Sequence, residues 1–254
     1  MFVEERKQEI LNILKKKERV SVNELSDYFN LSKVIIRRDL CQMEKDGTLE
    51  RTHGGAILKR KIGEKISFQE LSKSELAIKN DFANIIIDNI EEGDIIFFDG
   101  SVPTLIASYL LQKRKIDLTV ISNSPEIIKI LSKNKYIKII STGGIFNAKN
   151  KLFLGEITKN NLELFNLKKI FLEPEGVNLE KGNLSCKNIS IGEIKKTACK
   201  LAKEIFILAN DSVFYQDSVF NFSKIQINMT FIISPTLESS IENLLNSNNI
   251  HFLK

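Results

Sequence analysis

The sequence predicts two domains: a small, mainly α unit of winged helix-turn-helix pattern, then a larger α/β, Rossmann-like unit with a mostly parallel sheet. Three observations carry this expectation. The first 57 residues show short helical periods, two serine caps and a Gly-containing hairpin. Residues 59–71 are charged and follow no clear period. Beyond them, short β-rich apolar runs alternate with helical segments, the pattern of right-handed βαβ crossovers. The expected boundaries are 1–58 for the first domain, 59–71 for a linker and 72–254 for the second.

In the first domain, Ile10, Ile13 and Leu14 recur at helical spacing and predict a helix over roughly residues 4–17. Val20 is short and extended. Ser21-Val22-Asn23-Glu24 then puts serine at an N-cap with glutamate three residues on. In such a capping box each side chain satisfies an orphan backbone N–H. The second helix turns Leu25 and Phe29 inward and stops at Asn30-Leu31. Ser32 caps a third helix running to about Lys45, with Ile36, Leu40 and Met43 on its buried face. Asp46-Gly47 signals a turn, and short strands over 48–52 and 56–58 flank His53-Gly54-Gly55 as a wing.

In the second domain, strands are predicted at 95–98, 118–121, 137–140, 170–172, 205–208 and 231–233, separated by helices at about 73–90, 104–113, 124–133, 190–203 and 236–247. A sheet built this way is covered on both faces. Its ligands bind beyond the carboxyl ends of the strands.

Composition narrows the function classes. With 43% hydrophobic and 27% charged residues among 254, the chain has ordinary globular composition. No run reaches about 18 apolar residues, so no membrane span is expected. The first residues have neither a basic nor an apolar leader region, and a cytoplasmic protein is expected. Cys41, Cys186 and Cys199 form no CxxC pair, and His53 and His251 are the two histidines, so neither a disulfide framework nor a metal site or cofactor is expected. The net charge of +5 is mild, and residues 1–60 hold 13 basic and 10 acidic residues. Charge alone does not mark a nucleic-acid partner. Arrangement has to.

That arrangement appears in Ser32-Lys33-Val34-Ile35-Ile36-Arg37-Arg38-Asp39-Leu40. Ile36 and Leu40 lie one turn apart and face the core, while Lys33, Val34, Arg37 and Arg38 project the other way. A recognition helix needs this split, because arginine bonds guanine in bidentate fashion and Lys and Arg neutralise phosphates. Asp39 would repel phosphate, so it is expected to orient Arg37, Arg38 or a neighbour by an ion pair. The expected contacts to a double-stranded DNA operator are Ser21, Ser32, Lys33, Val34, Arg37, Arg38, Arg51, His53 and Gly54. In the second domain, the strand at 95–98 ends in Asp99-Gly100-Ser101-Val102-Pro103-Thr104. This small polar loop opening a helix has the form of an anion cradle, although many βα turns look alike.

Ser32, Ile36, Arg37, Arg38, Asp39 and Leu40, followed by Leu49, Arg51, His53, Gly54, Gly55 and Ala56, resemble the amino-terminal signature of the DeoR family of bacterial sugar-metabolism regulators. Ile35 stands where that family has threonine. The resemblance continues through Lys79, Gly93-Asp94, Asp99, Ser122-Asn123, Gly143-Gly144, Gly155, Glu175-Gly176 and Gly182. It implies a transcription regulator, a repressor more often than an activator, with a sensor resembling ribose-5-phosphate isomerase and binding a small phosphorylated metabolite. By the same resemblance, Asp99 and Glu175 accept from sugar hydroxyls, the 100–104 loop holds the phosphate, and Asn123 and Gly143-Gly144 close the pocket. Lys79 and Asn210 complete the implied effector set of Lys79, Asp99, Gly100, Ser101, Thr104, Asn123, Gly143, Gly144, Glu175 and Asn210.

The chain departs from the family loop Asp-x-Gly-Thr-Thr, with Ser101, Val102 and Pro103 at the last three positions. It also departs from the family's later Asp-x-x-Lys, which here is Asn210-Asp211-Ser212-Val213. Donors and a cation are lost, at about 1.5–3 kcal/mol for each charged hydrogen bond. This loss supports one alternative, a regulator whose second domain only oligomerises. A second, a phosphosugar isomerase using Asp99 and Glu175 as acid and base, rests on the implied sensor fold, and the lost groups count against it. A homo-oligomer, dimer or tetramer, is expected in the regulator reading.

Overall fold

A computed structural model describes residues 3–17, 19–46, 48–52, 54–58, 73–214 and 216–254. The linker expected at 59–71 and the wing residue His53 lie outside the described residues. The chain divides into two compact units, Met1–Glu75 and Leu76–Lys254.

In the amino-terminal unit, α1 spans Val3–Lys17, α2 Val22–Phe29 and α3 Lys33–Lys45. Strands β1 (Arg19–Ser21), β2 (Leu49–Thr52) and β3 (Gly55–Leu58) form one antiparallel sheet in the order β1-β3-β2. The extended stretch at Val20 is thus the third strand of the wing sheet, pairing with Ala56. Gly55 is required there, since a Cβ would lie 1.8 Å from the Val20 carbonyl oxygen. The capping box forms: Ser21 Oγ accepts from the Glu24 amide at 3.1 Å, and Glu24 Oε2 accepts from the Ser21 amide at 2.8 Å. The helix stops at Asn30, left-handed at φ 50°. Ile10, Leu14, Leu25, Ile36, Leu40, Met43 and Leu49 are buried together as the core.

The carboxyl-terminal unit is built on a seven-stranded sheet, all of whose neighbouring strands are parallel, in the order β15-β14-β12-β9-β4-β5-β6. In chain order these are β4 (Ile95–Phe98), β5 (Leu118–Ser122), β6 (Ile137–Ser141), β9 (Leu167–Leu172), β12 (Ala202–Ala209), β14 (Met229–Ile233) and β15 (His251–Leu253). Successive side chains leave a strand on opposite faces. Phe97, Ile170, Ile205 and Phe231 join one core. By the alternate positions, Phe171 stacks on Phe206 and meets Phe98 edge-on. Burial on both faces is why the central runs of the middle strands, residues 96–98, 170–172 and 205–209, are continuously apolar.

Helices α4 (Lys73–Asp88), α5 (Val102–Leu111), α6 (Pro125–Leu131), α8 (Ile189–Leu201) and α9 (Ser239–Ser247) match the expected segments in order, with ends shifted by a few residues. Several elements went unexpected. They are the hairpin of β7 (Ile145–Asn147) and β8 (Leu152–Leu154), helix α7 (Glu156–Leu162), the strand β15, and a small antiparallel sheet. That sheet is formed by β10 (Gly176–Asn178), β11 (Asn183–Cys186) and β13 (Phe220–Lys224).

Strands β5 and β6 run outward from one side of β4, while β9, β12, β14 and β15 run outward from the other. The chain order reverses between β4 and β9. In open parallel sheets this switch point opens a crevice at the carboxyl ends of the strands.

Candidate functional site

On α3 the buried side is Ile36, Leu40 and Met43, and Lys33, Val34, Arg37 and Arg38 are exposed. Ser32 caps the helix, its Oγ accepting from the Ile35 amide at 3.4 Å. Of the partners expected for Asp39, the structure gives a neighbour and neither Arg37 nor Arg38. Asp39 turns away from the outer face, only 3% exposed, and its carboxylate accepts from Arg6 Nε of α1 at 2.7 Å. The neighbour it holds is on another helix, and α3 is pinned to α1. Arg37 and Arg38 form no ion pair among the described residues. A carboxylate within a recognition face would weaken it; this one is removed from that face.

The other expected contacts lie on α2 and the wing sheet. Ser21 is half-buried at the start of α2, and the exposed Gly54 accepts from the Val22 amide through its carbonyl at 2.8 Å. Arg51 leans back on α3, its Nη1 donating to Cys41 Sγ at 3.4 Å and its amide to Glu44 Oε1 at 3.1 Å. Lys17 and Arg19 line an open depression with Ser21, Glu24, Thr52 and Gly54. The sequence reading omitted these two cations, although they flank the capping box and stand only a few residues before it.

In the second unit, the implied effector residues follow the carboxyl ends of adjacent strands. Asp99 follows β4 and Asn123 follows β5. Gly143-Gly144 lies just past β6, Glu175 past β9 and Asn210 past β12. Asp99 is a hub, 5% exposed. Its Oδ1 accepts from the Ser101 amide at 2.9 Å and from Thr104 Oγ1 at 3.4 Å. Its Oδ2 accepts from the Glu173 amide at 3.1 Å and lies 3.2 Å from Lys195 Nζ. Ser101 Oγ and Thr104 Oγ1 are 3.2 Å apart, and Thr104 also donates to the Ser101 carbonyl at 2.9 Å. Ser101 sits at φ −65°, so glycine is not needed there. Gly100 is at φ 69°, and a Cβ would meet Leu152 and Ser124 at 2.7 Å.

Around this hub, Lys79 pairs with the Glu173 carboxylate, and Lys195 donates to the Glu173 carbonyl. Burial works against the Lys195 charge, but Asp99, with Cys186 and Glu173, outweighs it and raises its pKa. The sequence reading named neither Lys195 nor Glu173. One signal for Lys195 was present: it shares the buried face of α8 with Ile194, Ala198 and Cys199, where an unpaired lysine has no place.

The remaining residues are held individually. Asn123, 2% exposed, donates from Nδ2 to the Phe153 carbonyl at 3.1 Å, and its Oδ1 is buried without a partner among the described residues. The Gly143 carbonyl accepts from Thr158 Oγ1 at 2.7 Å, and a Cβ on Gly144 would lie 2.0 Å from that same Oγ1. Glu175 Oε2 accepts from the Lys187 amide at 2.6 Å. Asn210 Oδ1 accepts from Ser212 Oγ at 3.0 Å in a 3-10 turn.

Gly93-Asp94 lies at the opposite, amino end of β4. Asp94 is fully buried, with Lys168 Nζ at 2.6 Å and Lys169 Nζ at 3.0 Å. Burial pushes its carboxyl up, but Lys168, the Glu91 amide and Lys169 bring it below the ordinary carboxylate range. Among the described residues, no group of His, Cys, Asp and Glu fit to hold a metal ion occurs, and no helix is long and apolar enough to cross a membrane.

The family models for a DeoR-like helix-turn-helix domain and a DeoR C terminal sensor domain match residues 6–61 and 74–234. An uncharacterized HTH-type transcriptional regulator, YulB of Bacillus subtilis (strain 168), is 32% identical over 84% of this chain and 81% of its own. The HTH-type transcriptional regulator GlpR of Haloferax volcanii is 28% identical over 94% of this chain and 92% of its own. The HTH-type transcriptional repressor GlcR of Bacillus subtilis (strain 168) is 26% identical over the whole chain and 96% of its own. Among solved structures, ribose 5-phosphate isomerase A from Methanocaldococcus jannaschii aligns over 55% of this chain and 54% of its own at 13% identity, with a TM-score of 0.41. That likeness is too loose to bear on the chemistry.

Proposed function

Because the chain belongs to the DeoR family, we propose that it is a sequence-specific transcription regulator of sugar-metabolism genes. It binds a double-stranded operator through residues 1–58 and responds to a small phosphorylated, sugar-related metabolite through residues 72–254. The observation that carries the DNA-binding half is the split face of α3, with Arg37 and Arg38 exposed while Asp39 is drawn inward onto Arg6. The repressor sign follows the family tendency and the relative named a repressor. A dimer or tetramer places two recognition helices in successive major grooves, roughly 34–36 Å apart. The setting is cytoplasmic.

Catalysis is not proposed. The Asp99 carboxylate, which an isomerase would need as a base, is held by an amide on each oxygen and by Lys195. The same enclosure favours one second reading, an oligomerisation-only domain, because the loop's hydroxyls bond each other and Pro103 offers no N–H.

Fluorescence anisotropy separates the readings. The full chain is titrated onto labelled DNA from upstream of its own gene at fixed salt, then challenged with a panel of sugar phosphates. A compound that releases or tightens the complex supports the sensor. Tight binding that ignores every compound supports oligomerisation alone, and failure to bind DNA overturns the proposal.

A further inference from the structure

We infer that the carboxylate of Glu173 occupies the seat of the effector's anionic group, so that a phosphate monoester binds by displacing Glu173 from Lys79. This rests on the sensor reading above and specifies how that site is regulated.

Placement comes first. Glu173 is the first residue after β9, and Asp99 the first after β4, so the two flank the switch point where ligands of such sheets bind. The backbone of Glu173 is fixed there, its amide donating to Asp99 and its carbonyl accepting from Lys195. Only its carboxylate is detachable. That side chain is 21% exposed, against 9% for Lys79, 7% for Lys195 and 4% for Asp99, so it forms the solvent-side edge of the cluster.

Charge balance gives the second step. Lys195 is matched by Asp99 and Lys79 by Glu173. A dianion entering this cluster meets cations that are already neutralised, and a buried charge without a partner is costly. One carboxylate has to leave. Asp99 is buried and held at both oxygens, whereas Glu173 can turn into solvent, exchanging one anion for another on Lys79. The exchange conserves the ion pair and gives the incoming phosphate a charge-assisted contact.

Asn123 Oδ1 is buried and accepts nothing among the described residues. Phe98 and Ser122 are register partners, so Asp99 and Asn123 leave adjacent strands at the same level. A buried acceptor without a donor costs free energy. A hydroxyl on the same ligand would supply the donor, which points to a phosphate ester of a hydroxylated carbon chain.

The test uses the full chain and inorganic phosphate, titrated calorimetrically at constant ionic strength. Glu173→Gln keeps the shape and an acceptor for Lys79 but removes the competing charge. It is expected to bind phosphate about tenfold tighter than the wild type, the scale of one modest charged contact. Glu173→Asp, which keeps the charge, should show no such gain. Equal or weaker binding by Glu173→Gln overturns the inference. Should that variant not fold, Lys79→Met decides in its place: loss of phosphate binding supports the seat, and binding at wild-type strength overturns it. Sugar phosphates that move wild-type protein on DNA while Glu173→Gln gains nothing would sink the inference alone. A phosphate gain in Glu173→Gln with no response on DNA would sink the sensor reading alone.

Discussion

On α3 of the amino-terminal unit, Arg37 and Arg38 stand in solvent, paired with no carboxylate among the described residues, whereas in the carboxyl-terminal unit Lys79 and Lys195 are buried, each against one. The partners explain the difference. A DNA duplex arrives as a polyanion at an open surface, and its counterions leave as protein cations replace them. Exposed arginines need no stored partner because water solvates them meanwhile. In the function proposed above, a small ligand enters an interior where an unpaired cation is costly, so its cations are kept paired until it comes. The amino-terminal unit does contain a buried pair, Arg6 and Asp39, but that pair joins two helices and no ligand has to open it.

The comparison breaks first at that structural pair. Asp39→Ala leaves Arg6 buried without its partner, and removing one member of a buried pair typically costs about 3–5 kcal/mol. Urea unfolding followed by circular dichroism should show the amino-terminal unit lost early, with DNA binding lost alongside. A change under about 1 kcal/mol would mean that the apolar core alone fixes α3 on α1. Next in size are the exposed arginines. Arg37→Ala and Arg38→Ala should each cost about 1–3 kcal/mol of operator affinity while leaving the unfolding midpoint where it was. Operator binding at wild-type strength in both would remove the recognition-helix assignment. Lys33→Ala is expected to lower the slope of log affinity against log salt by about 0.9, the signature of one phosphate contact.

The two units were also unequally legible in the sequence. Local rules gave the amino-terminal unit almost entire, because caps at Ser21 and Ser32 and the spacing of Ile36 and Leu40 act within a few residues. They could not show where Asp39 goes, since Arg6 lies 33 positions away. In the larger unit the sheet strands announced themselves as apolar runs. The hairpin β7–β8 and the β10-β11-β13 sheet did not, for they are segments of three to five residues. Elements so short form through tertiary packing more than through intrinsic preference. The implied site residues Asp99 and Asn123 follow their strands, but Glu173, which pairs with Lys79, was not named; the glutamate singled out was Glu175, two positions on, as an acceptor from sugar hydroxyls. Only the pairing of β9 beside β4, from distant parts of the chain, sets Glu173 against Asp99.

The smallest expected effect sharpens the comparison most finely. Each unit has a side chain capping a helix: Ser21 Oγ accepts from the Glu24 amide, and Asn188 Oδ1 accepts from the Ile191 amide at 3.1 Å. Loss of such a cap costs about 1 kcal/mol whichever residue supplies it, so Ser21→Ala and Asn188→Ala should lower the stability of their own units similarly. Their effects on DNA should differ. Ser21 opens α2 beside Arg19 and Gly54 on the exposed side of the first unit, where its hydroxyl and the helix start suit a phosphate. Ser21→Ala should therefore weaken operator binding by a few-fold at a urea concentration where the unit remains folded, the range of a neutral hydrogen bond worth about 1 kcal/mol. Asn188→Ala should leave operator affinity unchanged. Equal effects of the two on binding would mean that Ser21 serves its helix alone, and that DNA contacts in this unit are confined to α3 and the wing.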